Sequence, residues 1–178
     1  MHEEDPMEIN RFMAAATLAL LVAATGCNKK GPAAPSDIEY FPCDSMEKVV
    51  ATDQVTFDQG FSEDGKGSLK VTVEQPATVR LFDVPAPGAE SAKYIFKAKV
   101  NMKDLLGDAS LQMVIHFPNG GEVNAYQTVK GTGAWTPMEV FGIVLKGQKP
   151  DMVKLNLLVS GTGTCWVDDV HLVQQPLH

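Results

Sequence analysis

The sequence has little positive charge, few cysteines and few of the motifs that mark enzymes. Its 178 residues carry 15 lysines and arginines against 22 acidic residues, a formal net charge of −7, which excludes the basic footprint of a nucleic-acid-binding protein. The signatures of serine hydrolases, zinc proteases and phosphate-binding loops are missing. Adjacent residues of a strand point to opposite faces, so Asp168 and Asp169 do not form a glycosidase carboxylate pair. We therefore predict a protein that is not an enzyme.

The sequence also lacks an apolar run long enough to cross a bilayer. Arg11 precedes about fourteen apolar or small residues, Phe12 to Thr25, which is the length of a signal-peptide core, whereas a spanning helix needs about twenty. The run ends in Ala24-Thr25-Gly26-Cys27, which resembles the lipobox of bacterial lipoproteins. The resemblance implies that residues 1–26 are a signal peptide and that Cys27 is acylated. A plain secretory signal is the alternative.

Residues 27–36 are interpreted as a short tether. They are rich in Lys, Pro, Ala and Gly and have no apolar periodicity. Asn28 follows the cysteine, and in Gram-negative lipoproteins this favours the outer membrane. The segment predicts a protein of the bacterial cell envelope that a lipid anchor holds at the membrane.

Residues 37–176 are predicted to form one all-β domain. Ser68–Glu74 and Tyr94–Val100 alternate apolar and polar residues with period two, and Ser110–Phe117 is joined to Glu122–Val129 by the turn signal PNGG. Met102–Leu106 is compatible with a helical turn. About eight or nine short strands separated by Gly and Pro turns indicate a sandwich or barrel; the others are near residues 38–41, 78–84, 138–145, 153–160 and 164–173.

The order of these segments resembles the galactose-binding-like jelly roll of carbohydrate-binding modules. The resemblance covers about residues 38–174, through FSEDGKGSLKVTV, YIFKAKVNM, GTGAWTPMEVFGIVL and LNLLVSGTGTCWVDDVHL. Its most specific parts are the element built on Gly65, Ser68, Leu69 and Val71 and the terminal segment that starts at Trp166. It implies an antiparallel jelly-roll β-sandwich, but this fold serves many unrelated ligands.

The resemblance also implies a structural calcium ion. In such modules an aspartate of the last strand often helps to hold the ion, so Asp168 is the first candidate ligand and Asp64, in the loop before the Ser68 strand, is the second. Hard oxygen donors from separate segments suit calcium. The alternative is that the Asp168 and Asp169 carboxylates accept hydrogen bonds from backbone amides.

Two cysteines remain if Cys27 is consumed by processing. An even count in an exported protein favours a disulfide, and in the jelly roll the first and last strands run near each other. The resemblance therefore implies a Cys43–Cys165 bond. Two buried free thiols are the alternative.

A ligand-binding face is predicted on the central hairpin. If Leu111, Met113 and Ile115 fill the core, the alternate residues point outward, and the neighbouring strand adds an amide and an aromatic ring. Trp166 is a further candidate, because both of its neighbours in sequence are expected to face inward. The predicted glycan-binding set is Gln112, His116, Asn124, Tyr126 and Trp166; an ordinary solvated face is the alternative.

Two functions follow from these observations. The first is a lipid-anchored, non-catalytic protein similar to a carbohydrate-binding module. The alternative is an envelope lipoprotein that uses the same sandwich as a scaffold for an envelope protein partner, without a sugar site. Composition does not separate them.

Overall fold

Ten β-strands make up the fold of the described part of the protein. The computed structural model describes residues 34–129 and 133–177, and within them no helix is long and apolar enough to cross a membrane. The strands are β1 (Ser36–Phe41), β2 (Val55–Asp58), β3 (Ser68–Val73), β4 (Ala77–Pro85), β5 (Ala92–Leu106), β6 (Ala109–His116), β7 (Glu122–Val129), β8 (Thr136–Val144), β9 (Met152–Val159) and β10 (Thr162–Pro176).

The strands form two antiparallel sheets. The first sheet has the order β2-β3-β10-β5-β8, with β1 paired to the second half of β10, and the second sheet has the order β4-β9-β6-β7. Most neighbours in these sheets are distant in sequence, as in β4 beside β9 and β3 beside β10. This arrangement confirms the predicted antiparallel jelly-roll β-sandwich.

The core lies between the sheets and follows from period-two alternation. Leu111, Met113 and Ile115 of β6 pair with Leu157, Leu155 and Val153 of β9, and all six side chains are fully buried. Each such side chain contributes about 1.5–3 kcal/mol by leaving water. The alternate residues of the same strands point to the outer face, and that outer face holds the candidate site.

Two segments differ from the sequence-based prediction. Strand β2 was not predicted, because its four residues are too short to show periodicity. Met102–Leu106 continues β5 instead of forming a helical turn, because Met102 pairs with Cys165 and Leu106 with Thr162 of β10. Long-range pairing decides both segments, and local sequence does not report it.

The predicted Cys43–Cys165 disulfide is wrong, since both cysteines are free and buried. Phe41 pairs with Val170, five residues from Cys165 along β10, which is about 16 Å of strand. A disulfide needs Cα atoms within about 7 Å, and Cys43 lies only two residues past Phe41. The Cys43 thiol instead donates to the Phe41 carbonyl at 3.6 Å. Burial raises the pKa of both thiols, that of Cys165 to about 11.

The predictions for the N-terminus lie outside the described residues. They are the signal peptide of residues 1–26, acylation of Cys27 and most of the tether of residues 27–36. The described part begins at residue 34, and β1 starts two residues later, at Ser36.

Candidate functional site

Four of the five predicted ligand residues lie together on the outer face of the second sheet. Gln112 and His116 come from β6, and Asn124 and Tyr126 come from the adjacent β7. Gln112 pairs directly with Tyr126 across the two strands, and the Tyr126 side chain is 70% exposed. The face therefore offers an accessible aromatic ring next to amide groups, as the alternation of the hairpin predicted.

Strand β9 adds an amide at the centre of this face. Asn156 pairs with Gln112 on one side and with Arg80 of β4 on the other, so Arg80, Asn156, Gln112 and Tyr126 form one row across the sheet. Asn156 Nδ2 donates to Gln112 Oε1 at 2.9 Å. Asn156 Oδ1 is buried, and no donor for it exists among the described residues. We call these four residues the central row.

Asn156 and Arg80 were missing from the predicted set, although part of the signal was present. Alternation along β9 already turns Asn156 outward when Leu155 and Leu157 face the core. The sequence did not show which strands lie beside β9. Strands β4 and β6 become its neighbours through pairing between segments that are distant in sequence.

One ion pair includes Arg80 of the central row, and two other pairs of charged side chains lie beside the row. Arg80 Nε lies 2.5 Å from Asp83 Oδ1, and Lys154 Nζ lies 3.1 Å from a carboxylate oxygen of Glu122. His116 Nδ1 lies 2.7 Å from Asp151 Oδ1, and this hydrogen bond holds the pKa of Asp151 below its ordinary value. The face therefore presents paired charges of both signs around neutral polar groups.

Trp166 does not belong to this face, and its prediction as a ligand residue is corrected. It lies on β10 in the first sheet, and only 6% of it is exposed. Its Nε1 donates to Asp58 Oδ2 at 3.0 Å, and the Phe61 ring covers it with centroids 4.6 Å apart. Trp135 stacks on the same Phe61 ring at 5.5 Å. The loop that follows β2 therefore closes over Trp166 and leaves no open aromatic platform there.

The predicted calcium ligands are engaged in other contacts. The Asp168 carboxylate is buried and accepts the backbone N–H groups of Glu63 at 3.1 Å and Asp169 at 2.8 Å. Asp64 accepts the Lys66 amide at 2.9 Å and pairs with the Lys66 ammonium at 3.0 Å. Among described residues no three His, Cys, Asp or Glu side chains group as a metal site.

One oxygen near these residues does lack a partner. Asp44 Oδ1 is buried without a donor among the described residues. Calcium takes six to eight oxygens, and this one oxygen together with an Asp168 carboxylate that already accepts two amides does not provide them. The described residues here do not fit a calcium ion. The predicted calcium is tested by a melting experiment.

Asp169 has surroundings different from those of Asp168, because it lies in a bulge of β10 between Asp168 and His171. Two residues there oppose one on β5, and Asp169 has a φ of 53° in the left-handed region. Lys99 Nζ lies 3.2 Å from Asp169 Oδ2, and His171 Nε2 lies 3.2 Å from Oδ1. Burial raises the pKa of Asp169, but Lys99 and His171 outweigh that effect and hold it below its ordinary value. The two adjacent carboxylates serve separate contacts.

The two sheets and their order define a class of fold, the jelly-roll β-sandwich found in carbohydrate-binding modules. Neither a family model nor a curated protein matches the sequence. The structure is similar to the CBM22-1 xylan-binding domain from Paenibacillus barcinonensis Xyn10C, with a TM-score of 0.60, 12% identity, and coverage of 82% of this chain and 98% of that one.

Two further comparisons show how widely the fold is used. The CBM22-1-GH10 modules of Clostridium thermocellum xylanase 10B, complexed with xylohexaose, match with a TM-score of 0.58 and 14% identity, over 76% of this chain but only 28% of that one. A cyclase from Fischerella sp. TAU matches with a TM-score of 0.56 and 11% identity, over 81% of this chain and 89% of that one. At these identities the likeness shows the fold alone.

Proposed function

We propose that the protein is a non-catalytic glycan-binding protein of the bacterial envelope, held by a lipid at Cys27. The observation that carries the glycan proposal is the central row: an exposed Tyr126 ring beside the Gln112–Asn156 amide pair, with Arg80 at the far end. An aromatic ring packs against the C–H face of a sugar, while amides and a guanidinium read its hydroxyls.

The unpaired Asn156 oxygen supports the same proposal. A buried acceptor without a donor costs about 1–3 kcal/mol, and only 7% of Asn156 is exposed. A hydroxyl is a donor that a bound sugar would supply. The balanced ion pairs on either side favour a neutral glycan over one of high charge.

Affinity electrophoresis of residues 28–178 in plant, algal and host polysaccharides tests the proposal. We expect retardation in at least one neutral polysaccharide. Tyr126→Ala should weaken binding about tenfold, which corresponds to about 1.4 kcal/mol, because it removes the platform at the open end of the row.

Phe141→Ala is the matched control, since Phe141 is an exposed aromatic residue of the first sheet. It should bind like the wild type. Equal weakening by both substitutions would mean that the glycan binds outside the central row. No retardation in any polysaccharide would contradict glycan binding and favour the alternative, a scaffold for an envelope protein partner.

The lipid anchor is tested separately by metabolic labelling with palmitate. We expect the full chain to incorporate the label and Cys27→Ala to lose it, because acylation needs that thiol. Cys43→Ala is the control and should keep the label, since its thiol is buried in the sandwich. Label that persists in Cys27→Ala contradicts the anchor.

A further inference from the structure

Exposed apolar side chains cluster at one end of the sandwich. Ile143 on β8 and Leu145 just after it point to the same outer side of the first sheet, and Leu145 is 61% exposed. Leu177 donates its N–H to the Ser91 carbonyl at 2.6 Å, one residue beyond the pair of Ala92 with Val144. Leu177 and Leu145 therefore end the same row of the sheet, with Ser91 between them.

Phe141 extends this cluster along β8, where its ring lies 4.1 Å from Lys93 Nζ. We call Phe141, Ile143, Leu145 and Leu177 the end patch. All four are exposed. Phe141 and Ile143 are alternate residues of the edge strand β8, and Leu145 continues the alternation just after its end. A line of exposed apolar side chains is typical of a surface that binds another protein or a membrane.

The chain itself indicates which surface lies nearby. β1 begins at Ser36, paired with Gln174 and so at the end of the sandwich that carries the patch. Only nine residue steps separate Ser36 from Cys27, at most about 32 Å when fully extended. The opposite end, at Thr162 and Leu106, is about 50 Å away along the fifteen residues of β10. A lipid on Cys27 therefore keeps the start of β1, at the patch end, within about 32 Å of the anchor, whereas the opposite end can lie farther from it.

The charges beside the end patch suit phospholipid headgroups. Lys146 and Lys149 are exposed in the turn after β8, and Lys93 lies beside Phe141. Two nearby carboxylates have partners of their own: Glu90 accepts the Gly147 N–H, and Asp151 pairs with His116. Lysines around an apolar patch favour an anionic lipid surface.

We propose that the end patch docks on the lipid surface of the membrane that carries the anchor. This inference rests on the lipid anchor of the proposed function. Leu145, Ile143 and Leu177 would enter the headgroup region, with the outer side of the first sheet tilted toward the bilayer at the patch end. In this orientation the central row, on the outer face of the second sheet, faces away from the membrane.

The experiment attaches the environment-sensitive dye NBD at single positions of the full-length lipidated protein. Leu145→Cys reports on the patch, and Leu106→Cys is the matched control, because Leu106 is the more exposed leucine, at 77%, at the opposite end. Buried Cys43 and Cys165 should remain unlabelled, which the wild type verifies. The protein is reconstituted in vesicles of phosphatidylethanolamine and phosphatidylglycerol, with nitroxide-labelled lipid as a quencher.

The expected result is a blue-shifted emission that the nitroxide quenches at position 145, with neither effect at position 106. If the protein floats with the vesicles while both dyes stay in water, the docking is wrong and the anchor stands. If it does not float, the anchor is wrong, and the docking falls with it. A blue shift at position 145 that grows with protein concentration without vesicles would assign the patch to a second copy and overturn the proposal.

Discussion

Gly161→Ala is expected to lower the free energy of unfolding by about 3 kcal/mol or more, a fall in melting temperature on the order of 10 °C. Gly161 lies in the turn between β9 and β10, and a Cβ there would stand 1.5 Å from the carbonyl oxygen of Leu106 and 2.6 Å from its carbon. The obstacle is backbone, which cannot rotate away as a side chain would. Chemical denaturation of residues 28–178 measures the effect.

The turn around Gly161 is also bonded to the turn between β5 and β6, which contains Asp108, so relief by movement is costly. Ser160 N donates to the Asp108 carbonyl, and Asp108 N donates to Ser160 Oγ, both at 2.9 Å. Moving the turn away from Leu106 would break both bonds. Gly60→Ala is the matched control, because the nearest atom to its added Cβ is 3.6 Å away, an ordinary contact. A loss for Gly161→Ala no greater than that for Gly60→Ala contradicts the clash.

Asp168→Ala is expected to destabilise the fold by about 3 kcal/mol, because it leaves the N–H groups of Glu63 and Asp169 without their acceptor. These two bonds fix the loop after β2 against β10, and the Phe61 ring of that loop covers Trp166. Asp169→Asn is the control, since asparagine tolerates the left-handed φ and the ion pairs that it loses, with Lys99 and His171, are partly exposed. Denaturant unfolding of the three proteins measures the difference.

The contribution of Asp168 should grow as the pH falls. Burial raises the pKa of Asp168, so the folded chain holds this proton more tightly than the unfolded chain does. Stability from this group therefore increases as the pH falls through the folded pKa and levels off below the unfolded one. We expect the difference in free energy of unfolding between wild type and Asp168→Ala to be larger near pH 4 than at pH 7. A difference that becomes smaller on acidification would contradict a raised pKa for Asp168.

The same pair of proteins decides the calcium prediction. Since Asp168 is satisfied by amides, we expect EDTA to leave the melting temperature of the wild type unchanged. The calcium site that the resemblance implied would be supported if EDTA lowered the melting temperature of the wild type and added calcium raised it again. Asp168→Ala should then show neither change.

The candidate site was predictable along each strand but not between distant strands. Alternation turned Gln112 and His116 outward, and the tight turn after Phe117 placed Asn124 and Tyr126 beside them, because a short hairpin fixes its own pairing. Asn156 and Arg80 join them only where β9 inserts between β4 and β6, and no local signal encodes that pairing. The prediction that Trp166 binds a ligand was wrong for a related reason. Alternation indicated the direction of its side chain, but the loop that covers it lies more than a hundred residues earlier in the sequence.

By itself, the sequence determined the all-β class, most of the strands and the inward and outward sides of each, because these depend on alternation and on Gly and Pro turns within a few residues. Tertiary structure alone decided the properties that depend on contacts between distant segments. The register of β1 on β10 keeps Cys43 and Cys165 apart, the bulge at Asp169 separates the two aspartates, and the sheet order brings Asn156 into the central row. It also gathers Leu145 and Leu177 at the end where the chain arrives from Cys27, since the register aligns strand ends that lie far apart in sequence.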